Sequence, residues 1–418
     1  ATWTAPAMSD DARRAAAEDL PTAEGQPVHL LDLPKDDFER FYDVVSNETL
    51  WFLHHGLFDL TRSPVFDADW RESWDAYRRV NRAFAEAVIE HSPPGAVVLV
   101  QDYHLTLLAP TVRRARPDLR LVLGPPPPVA GPPRPPGLPP PPPPAAPPTP
   151  APPPACGFHT PVWARNYEEV QERLGTTPPA ARAATFDSTL SSDPAELARV
   201  AASAACDAAL AGLDGIVGDR RLILRVDRME LSKNIVRGFT AYDRLLELRP
   251  DLRERVTFVA CCYPSRLGVP AYGRYRHEVE AAADQVNARW GSEGWTPVEL
   301  LTDDDYPRSL AALRRYDVLL VNPVRDGLNL VAKEGPVLNE RHGQLVLSTE
   351  AGAWSELVGA ADGVSPFDVE ATALALAAAL DRDDDERRAR ADLLRRSASA
   401  RTPSDWLQDQ LAAADRAG

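Results

Sequence analysis

The stretch Val318–Glu334, VLLVNPVRDGLNLVAKE, decides how this chain is read. Val318–Val321 is a continuous apolar run of the kind a buried parallel strand shows. Asn322, Pro323 and Gly327 punctuate a turn, and Asn329–Glu334 opens a helix whose free backbone N–H groups would favour a diphosphate. Asp326 stands at the carboxyl end of the strand and Glu334 in the helix. By itself the segment is equally an ordinary strand–turn–helix unit with solvated charges.

A second segment, Leu222–Phe239 (LILRVDRMELSKNIVRGF), repeats the pattern. An apolar strand, Leu222–Val226, ends in a turn beyond which Arg228 and Lys233 can converge on one anion. Arg supplies a planar fork of donors and Lys a point charge, a pairing suited to a departing diphosphate. Of the 46 basic residues only three are Lys: Lys35, Lys233 and Lys333. Two of these three fall in the two segments.

Working outward, strands are expected at Leu222–Val226, Val256–Ala260, Val298–Leu301, Val318–Val321 and Leu345–Leu347. Helices are expected at Ile235–Glu247, Ala271–Trp290, Tyr306–Arg315, Leu330–Glu340 and Val369–Leu380. Strands alternating with helices make a doubly wound α/β domain. A linker is expected near Leu213–Arg220, and a last helix at Trp406–Ala414 with Ser404 or Asp405 as its cap. The acidic run Asp381–Glu386 reads as solvated surface or a helix start.

In the first half, Pro27–Leu33, Val97–Gln101 and Leu119–Leu123 read as strands, and Lys35–Ser46 and Asp67–Glu90 as helices. Trp70, Trp74, Tyr77 and Phe84 form one apolar stripe on the second helix and are expected in the core. The alternation again predicts a parallel sheet.

With 418 residues, 44% of them apolar, the chain can bury the cores of two to three domains. A net charge of −15 argues against nucleic-acid or anionic-membrane partners. No apolar run approaches the ~20 residues of a spanning helix, and the opening ATWTAPAMSDD lacks the features of a signal peptide. A soluble cytoplasmic protein is therefore expected, with homo-oligomerisation left open. Cys156, Cys206, Cys261 and Cys262 form no CxxC pair and no His cluster at metal spacing, so no zinc site is expected.

Together, R-x(4)-K in VDRMELSK and the block RDGLNLVAKE resemble the donor-site motifs of the trehalose-6-phosphate synthase family. Ser46–Trp51 (SNETLW), Trp74–Asn81 (WDAYRRVN), Val98–His104 (VLVQDYH), Gly157–Thr160 (GFHT), Tyr263–Arg266 (YPSR) and Leu345–Gly352 (LVLSTEAG) are similar to family segments in the same order. The resemblance spans nearly the whole chain. It implies a retaining glycosyltransferase of two facing Rossmann-like domains, the GT-B fold: residues 1–212 binding the acceptor, 213–400 binding the nucleotide-sugar, and 401–418 a helix packing back on the first domain.

The resemblance also implies roles. Arg228 and Lys233 would hold the donor diphosphate, Asp326 the donor sugar hydroxyls, the amides near Asn329 and Leu330 the phosphates or nucleotide, and Glu334 the ribose hydroxyls. Arg266, Tyr42 and Trp51 would bind the acceptor 6-phosphate, and Asp102 would position the acceptor sugar. The implied substrates are UDP- or GDP-glucose and glucose 6-phosphate, with no cofactor and no metal. His104 and His159 are expected to be structural caps and Glu230 a solvated turn residue.

Two features depart from the pattern. The family's opening strand and Gly-rich loop would precede Ala1, so the first domain is expected to lack its opening strand. Pro125–Pro154 holds 20 prolines in 30 residues, which excludes helix and central strand and favours polyproline II. It stands where the resemblance implies a His-containing turn and a helix, with Pro126 in the place of that His. Two alternatives stay open: a pseudo-glycosyltransferase resembling validoxylamine 7′-phosphate synthase, and a catalytically impaired member whose polyproline segment docks an SH3-like partner.

Overall fold

The computed structural model describes residues 3–6, 28–124, 155–174 and 183–417. The readings of the Pro-rich tract lie outside these residues. The chain divides into two compact units, Ala1–Ser188 with Gln408–Gly418, and Thr189–Leu407.

The second unit is built on six parallel strands: β7 (Arg221–Met229), β8 (Val256–Pro264), β9 (Val298–Leu301), β10 (Val318–Val321), β11 (Gln344–Ser348) and β12 (Asp362–Val364), in the order β12-β11-β10-β7-β8-β9. Side chains alternate between two cores. Leu222, Leu224, Val226, Leu319, Val321, Leu345 and Leu347 enter one, while Ile223, Val318, Leu320 and Val346 enter the other. A strand apolar on both faces must be covered on both, which is why helices lie on each side. Each such side chain contributes about 1.5–3 kcal/mol when fully buried.

Four of the five expected helices agree to within a residue, and the fourth in order is shorter, Val331–Leu338 instead of Leu330–Glu340. β12 was not expected; at three residues it is too short to show a pattern. Leu213–Arg220, expected as a linker, is corrected: most of it ends the helix Ala204–Val217, capped by Ser203. Leu213 and Val217 pack with Leu197, Ala201 and Cys206 against β7, so residues 189–212 join the second unit and the division falls at Ser188. The apolar helix pair Pro194–Ala201 and Ala204–Val217 thus contributes to a core, and no single helix among the described residues is long and apolar enough to cross a membrane. The acidic run starts the helix Asp384–Ala398, with Asp383 accepting from the amides of Asp385 and Glu386. The final helix begins earlier than expected, at Pro403, because Thr402 and Asp405 cap it reciprocally.

In the first unit, β3 (Val97–Val100), β4 (Arg120–Leu123), β5 (Ala155–Phe158) and β6 (Ala184–Asp187) form a parallel sheet in chain order. β1 (Trp3–Pro6) and β2 (Val28–Leu31) pair separately in parallel; β1 is an element the sequence reading did not place. The helix expected at Lys35–Ser46 runs on to His55, π-helical over Arg40–Leu50, and stops at Gly56 with φ 65°. Trp70, Tyr77 and Phe84 are buried, and Trp70, Trp74 and Tyr77 stack in series. Ala413 and Ala414 of the last helix pack against Val122 and Ala155.

All four thiols are buried. Burial pushes Cys156 and Cys261 up to about 12 and Cys262 well above the ordinary thiol value. Native protein is therefore expected to take up no thiol reagent at neutral pH and urea-unfolded protein four equivalents. Rapid labelling of the native chain would contradict this.

Candidate active site

Strand order places the site. β7, β8 and β9 run outward in one direction, and the chain then returns to lay β10 on the other side of β7. The crevice beyond the carboxyl ends of β7 and β10 is the topological switch point, where doubly wound sheets bind ligands. Lys233 follows β7 and Asp326 follows β10, and Lys233 Nζ lies 2.7 Å from Asp326 Oδ2 and 3.9 Å from Asp227 Oδ1. Burial works against the ammonium, but Asp326, Asp227 and Glu230 outweigh it and raise the Lys233 pKa above its ordinary value. Lys233 is thus a fixed cation at neutral pH.

Beneath it lies a network the sequence reading missed. Arg225, fully buried, donates from Nε to Asp227 Oδ2 at 2.9 Å and from Nη2 to the Lys233 carbonyl at 2.8 Å and Asn322 Oδ1 at 2.5 Å. Burial raises the Asp227 carboxyl pKa, with Arg225 and Lys233 opposing. Asn234, at φ 60°, donates from Nδ2 to the carbonyls of Asn322 and Pro366. The available signal was an arginine inside an otherwise apolar strand, LILRV, since a buried charge needs a partner.

The turn after β10 is held from both ends. Asp326 Oδ1 accepts from the Leu328 amide and Oδ2 from Asn329 Nδ2, while Asn329 Oδ1 accepts from the Ala332 amide and so caps the helix. Asn329 has φ 74°, a left-handed conformation costly for a residue with a side chain. Leu330 immediately precedes the helix, and Glu334, one turn in, accepts from Ser192 Oγ at 2.6 Å. A second turn braces the first: the Asp326 amide donates to the Glu350 carbonyl, the Gly352 amide to the Asp326 carbonyl, and the Ala353 amide to the Leu328 carbonyl. A Cβ on Gly352 would collide with the Gly327 carbonyl oxygen and lie 2.8 Å from its carbon and 3.0 Å from Leu328 Cα, all backbone. Gly352→Ala is therefore expected to lower stability by about 1–3 kcal/mol and to weaken nucleoside-diphosphate binding, by urea unfolding and calorimetry. Unchanged affinity would separate Gly352 from the site.

Arg228 and Lys233 have different carboxylate partners. Arg228, half-exposed, places Nη1 3.1 Å from Glu230 Oε1. Glu230 is not the solvated turn residue expected; it is fully buried, because the turn folds it under β7 toward Ser265 Oγ, 3.5 Å away. Arg266, at φ 49°, donates from Nη1 to the Tyr272 hydroxyl at 2.8 Å.

Tyr42, Trp51 and Asp102 belong to the first unit, where the structure gathers them around Tyr103 and His104. His104 stacks on Tyr42 (5.6 Å between centroids) and Tyr103 (4.2 Å), and its Nδ1 is 3.7 Å from Asp102 Oδ2. Trp51 packs on Tyr103 at 5.6 Å and stacks on His55 at 3.9 Å. His104 is thus more than a cap, since its ring joins Tyr42 to Asp102. Asp102 follows β3 at φ 66°, and its Oδ1 accepts from the Tyr103 amide. Asp102, Asn234, Arg266 and Asn329 are four of the six non-glycine residues with positive φ among the described residues, and each follows a sheet strand. Among those residues no cluster of three or more His, Cys, Asp or Glu side chains is placed to hold a metal.

Two α/β units built on parallel sheets, together with the family and structural matches that follow, place this chain among the glycosyltransferases of the GT-B fold class. The profile of glycosyltransferase family 20 matches residues 2–123 and 155–416, and the chain belongs to that family. The match breaks around the Pro-rich tract. A trehalose-6-phosphate synthase from Mycobacterium sp. (strain KMS) is 33% identical over 420 residues, covering 94% of this chain and 83% of the relative. A bifunctional trehalose-6-phosphate synthase/phosphatase from Thermoproteus tenax is 29% identical over 93% of this chain, which spans about half (54%) of that protein. The crystal structure of an alpha,alpha-trehalose-phosphate synthase (UDP-forming) from Burkholderia vietnamiensis superposes with a TM-score of 0.79 at 28% identity, covering 95% of this chain and 90% of its own.

Proposed function

We propose that this chain moves glucose from UDP- or GDP-glucose to glucose 6-phosphate with retention, forming trehalose 6-phosphate. The observation that carries this reading is the Lys233–Asp326 pair at the switch point of the second unit's sheet. A fixed ammonium there can accept the charge that grows on a leaving diphosphate, which a donor binding at the strand ends would place against it. Arg228 adds a second cation, Asp326 orients the donor sugar hydroxyls, the helix start near Asn329 and Leu330 faces the phosphates, and Glu334 accepts from the ribose.

Arg266, Tyr42 and Trp51 are assigned to the acceptor 6-phosphate, and Asp102 to the acceptor sugar. The bond from the sugar's anomeric carbon to the diphosphate oxygen breaks, a bond to the acceptor hydroxyl oxygen forms on the same face, and the leaving diphosphate takes the hydroxyl proton. Because two protein cations supply the countercharge, the transfer needs no metal, and a chelator is expected to leave the rate unchanged. The test is incubation of the purified chain with glucose 6-phosphate and each donor. Release of the nucleoside diphosphate and an α,α-linked, non-reducing disaccharide phosphate by NMR are expected; no product from either donor would overturn the reading.

A further inference from the structure

We infer that Glu230 is a positioning residue that aims the Arg228 guanidinium at the donor diphosphate and ties it to the Ser265–Arg266 loop. The inference rests on the reading that Arg228 binds that diphosphate. Glu230 is fully buried while Arg228 is half-exposed, so the carboxylate is the anchored partner and the guanidinium the presented one. The same oxygen that meets Arg228 Nη1 at 3.1 Å lies 3.5 Å from Ser265 Oγ, and the other, Oε2, is buried with no hydrogen-bond partner in the protein.

A buried carboxylate with an unsatisfied oxygen is a poor source of stability. Its value lies in direction, since it holds a long, otherwise mobile cation in one geometry. It also sits in one turn with both donor cations: the Glu230 amide donates to the Arg228 carbonyl at 2.7 Å, and the Lys233 amide to the Glu230 carbonyl at 3.0 Å. Ser265 immediately precedes Arg266, so a single buried carboxylate links the turn after β7 to the loop after β8.

The test is a double-mutant cycle of Glu230→Gln and Arg228→Ala in the full chain, read in kcat, in UDP and GDP affinity by calorimetry, and in Tm. Glu230→Gln alone is expected to lower kcat about tenfold. In the Arg228→Ala background it should change kcat and affinity less than about twofold. Glu230→Asp, which keeps the charge, should recover part of the loss. Equal factors in both backgrounds, or wild-type kinetics for Glu230→Gln, would overturn the inference. If Glu230→Gln does not fold, Ser265→Ala takes its place in the cycle, with the same expectation of an effect that vanishes without Arg228. A wild-type chain that binds nucleoside diphosphate but transfers no glucose would defeat the proposed function alone, and the cycle in affinity would still decide the role of Glu230. A chain that binds neither diphosphate would overturn both.

Discussion

Replacing Lys233 by Met is expected to lower kcat by about 10²–10³-fold, the usual cost of removing one pre-aimed group from a developing charge. The Met side chain preserves the apolar stem but takes the cation away from Asp326, whose Oδ2 has Lys233 Nζ at 2.7 Å. Stability should fall too, because Asp227 loses one of the two cations acting on it. Lys233→Arg is not a conservative rescue, since a planar fork cannot occupy the place of a point charge between two carboxylates. Because the Lys233 pKa is raised in the fold, its contribution to stability is complete below the unfolded value of 10.5 and is lost only as pH rises through the higher folded value. The wild-type Tm is therefore expected to show no loss assignable to Lys233 between pH 7 and 9, while kcat of the variant stays low throughout. A variant within threefold of wild type would remove Lys233 from the mechanism.

Arg225→Met is expected to cost about 3–5 kcal/mol, the range for breaking a buried ion pair by removing one partner. The arginine is fully buried and its hydrogen bonds reach Asp227, Asn322 and the Lys233 carbonyl, so its loss strands a carboxylate and an amide oxygen in the interior. The same bonds join the ends of β7 and β10, and donor affinity should fall with stability. Urea unfolding monitored by tryptophan fluorescence gives the first quantity and calorimetry with UDP the second. The combined replacement of Arg225 and Asp227 by Met and Leu should restore part of the stability without restoring affinity. Full recovery of both would show the network to be packing alone.

The second unit was largely legible because its strands are apolar on both faces and its helices are long and periodic. Tyr306–Arg315 and Val298–Leu301 stand where the sequence reading put them. Legibility failed where an element was short, as at β12, or where the two glycines of Leu213–Arg220 read as a linker although most of that segment ends the helix Ala204–Val217. In the site, motif spacing found Lys233 and Asp326 but not Arg225, Asp227 or Glu230. Nothing in a linear sequence tells a charged side chain facing solvent from one turned under a strand.

The class of fold, the family and the positions of most candidate site residues can all be read from the linear chain. Those depend on local apolar periodicity and on residue types at short spacing, and both survive in a linear string. Folding alone brings Lys233 to Asp326, turns Glu230 into the interior and sets the His104 ring between Tyr42 and Asp102. Lys233 with Asp326 and Tyr42 with His104 are pairings distant in sequence, the first set by the order in which parallel strands return to the sheet, and the inward turn of Glu230 is set by packing that no local pattern records.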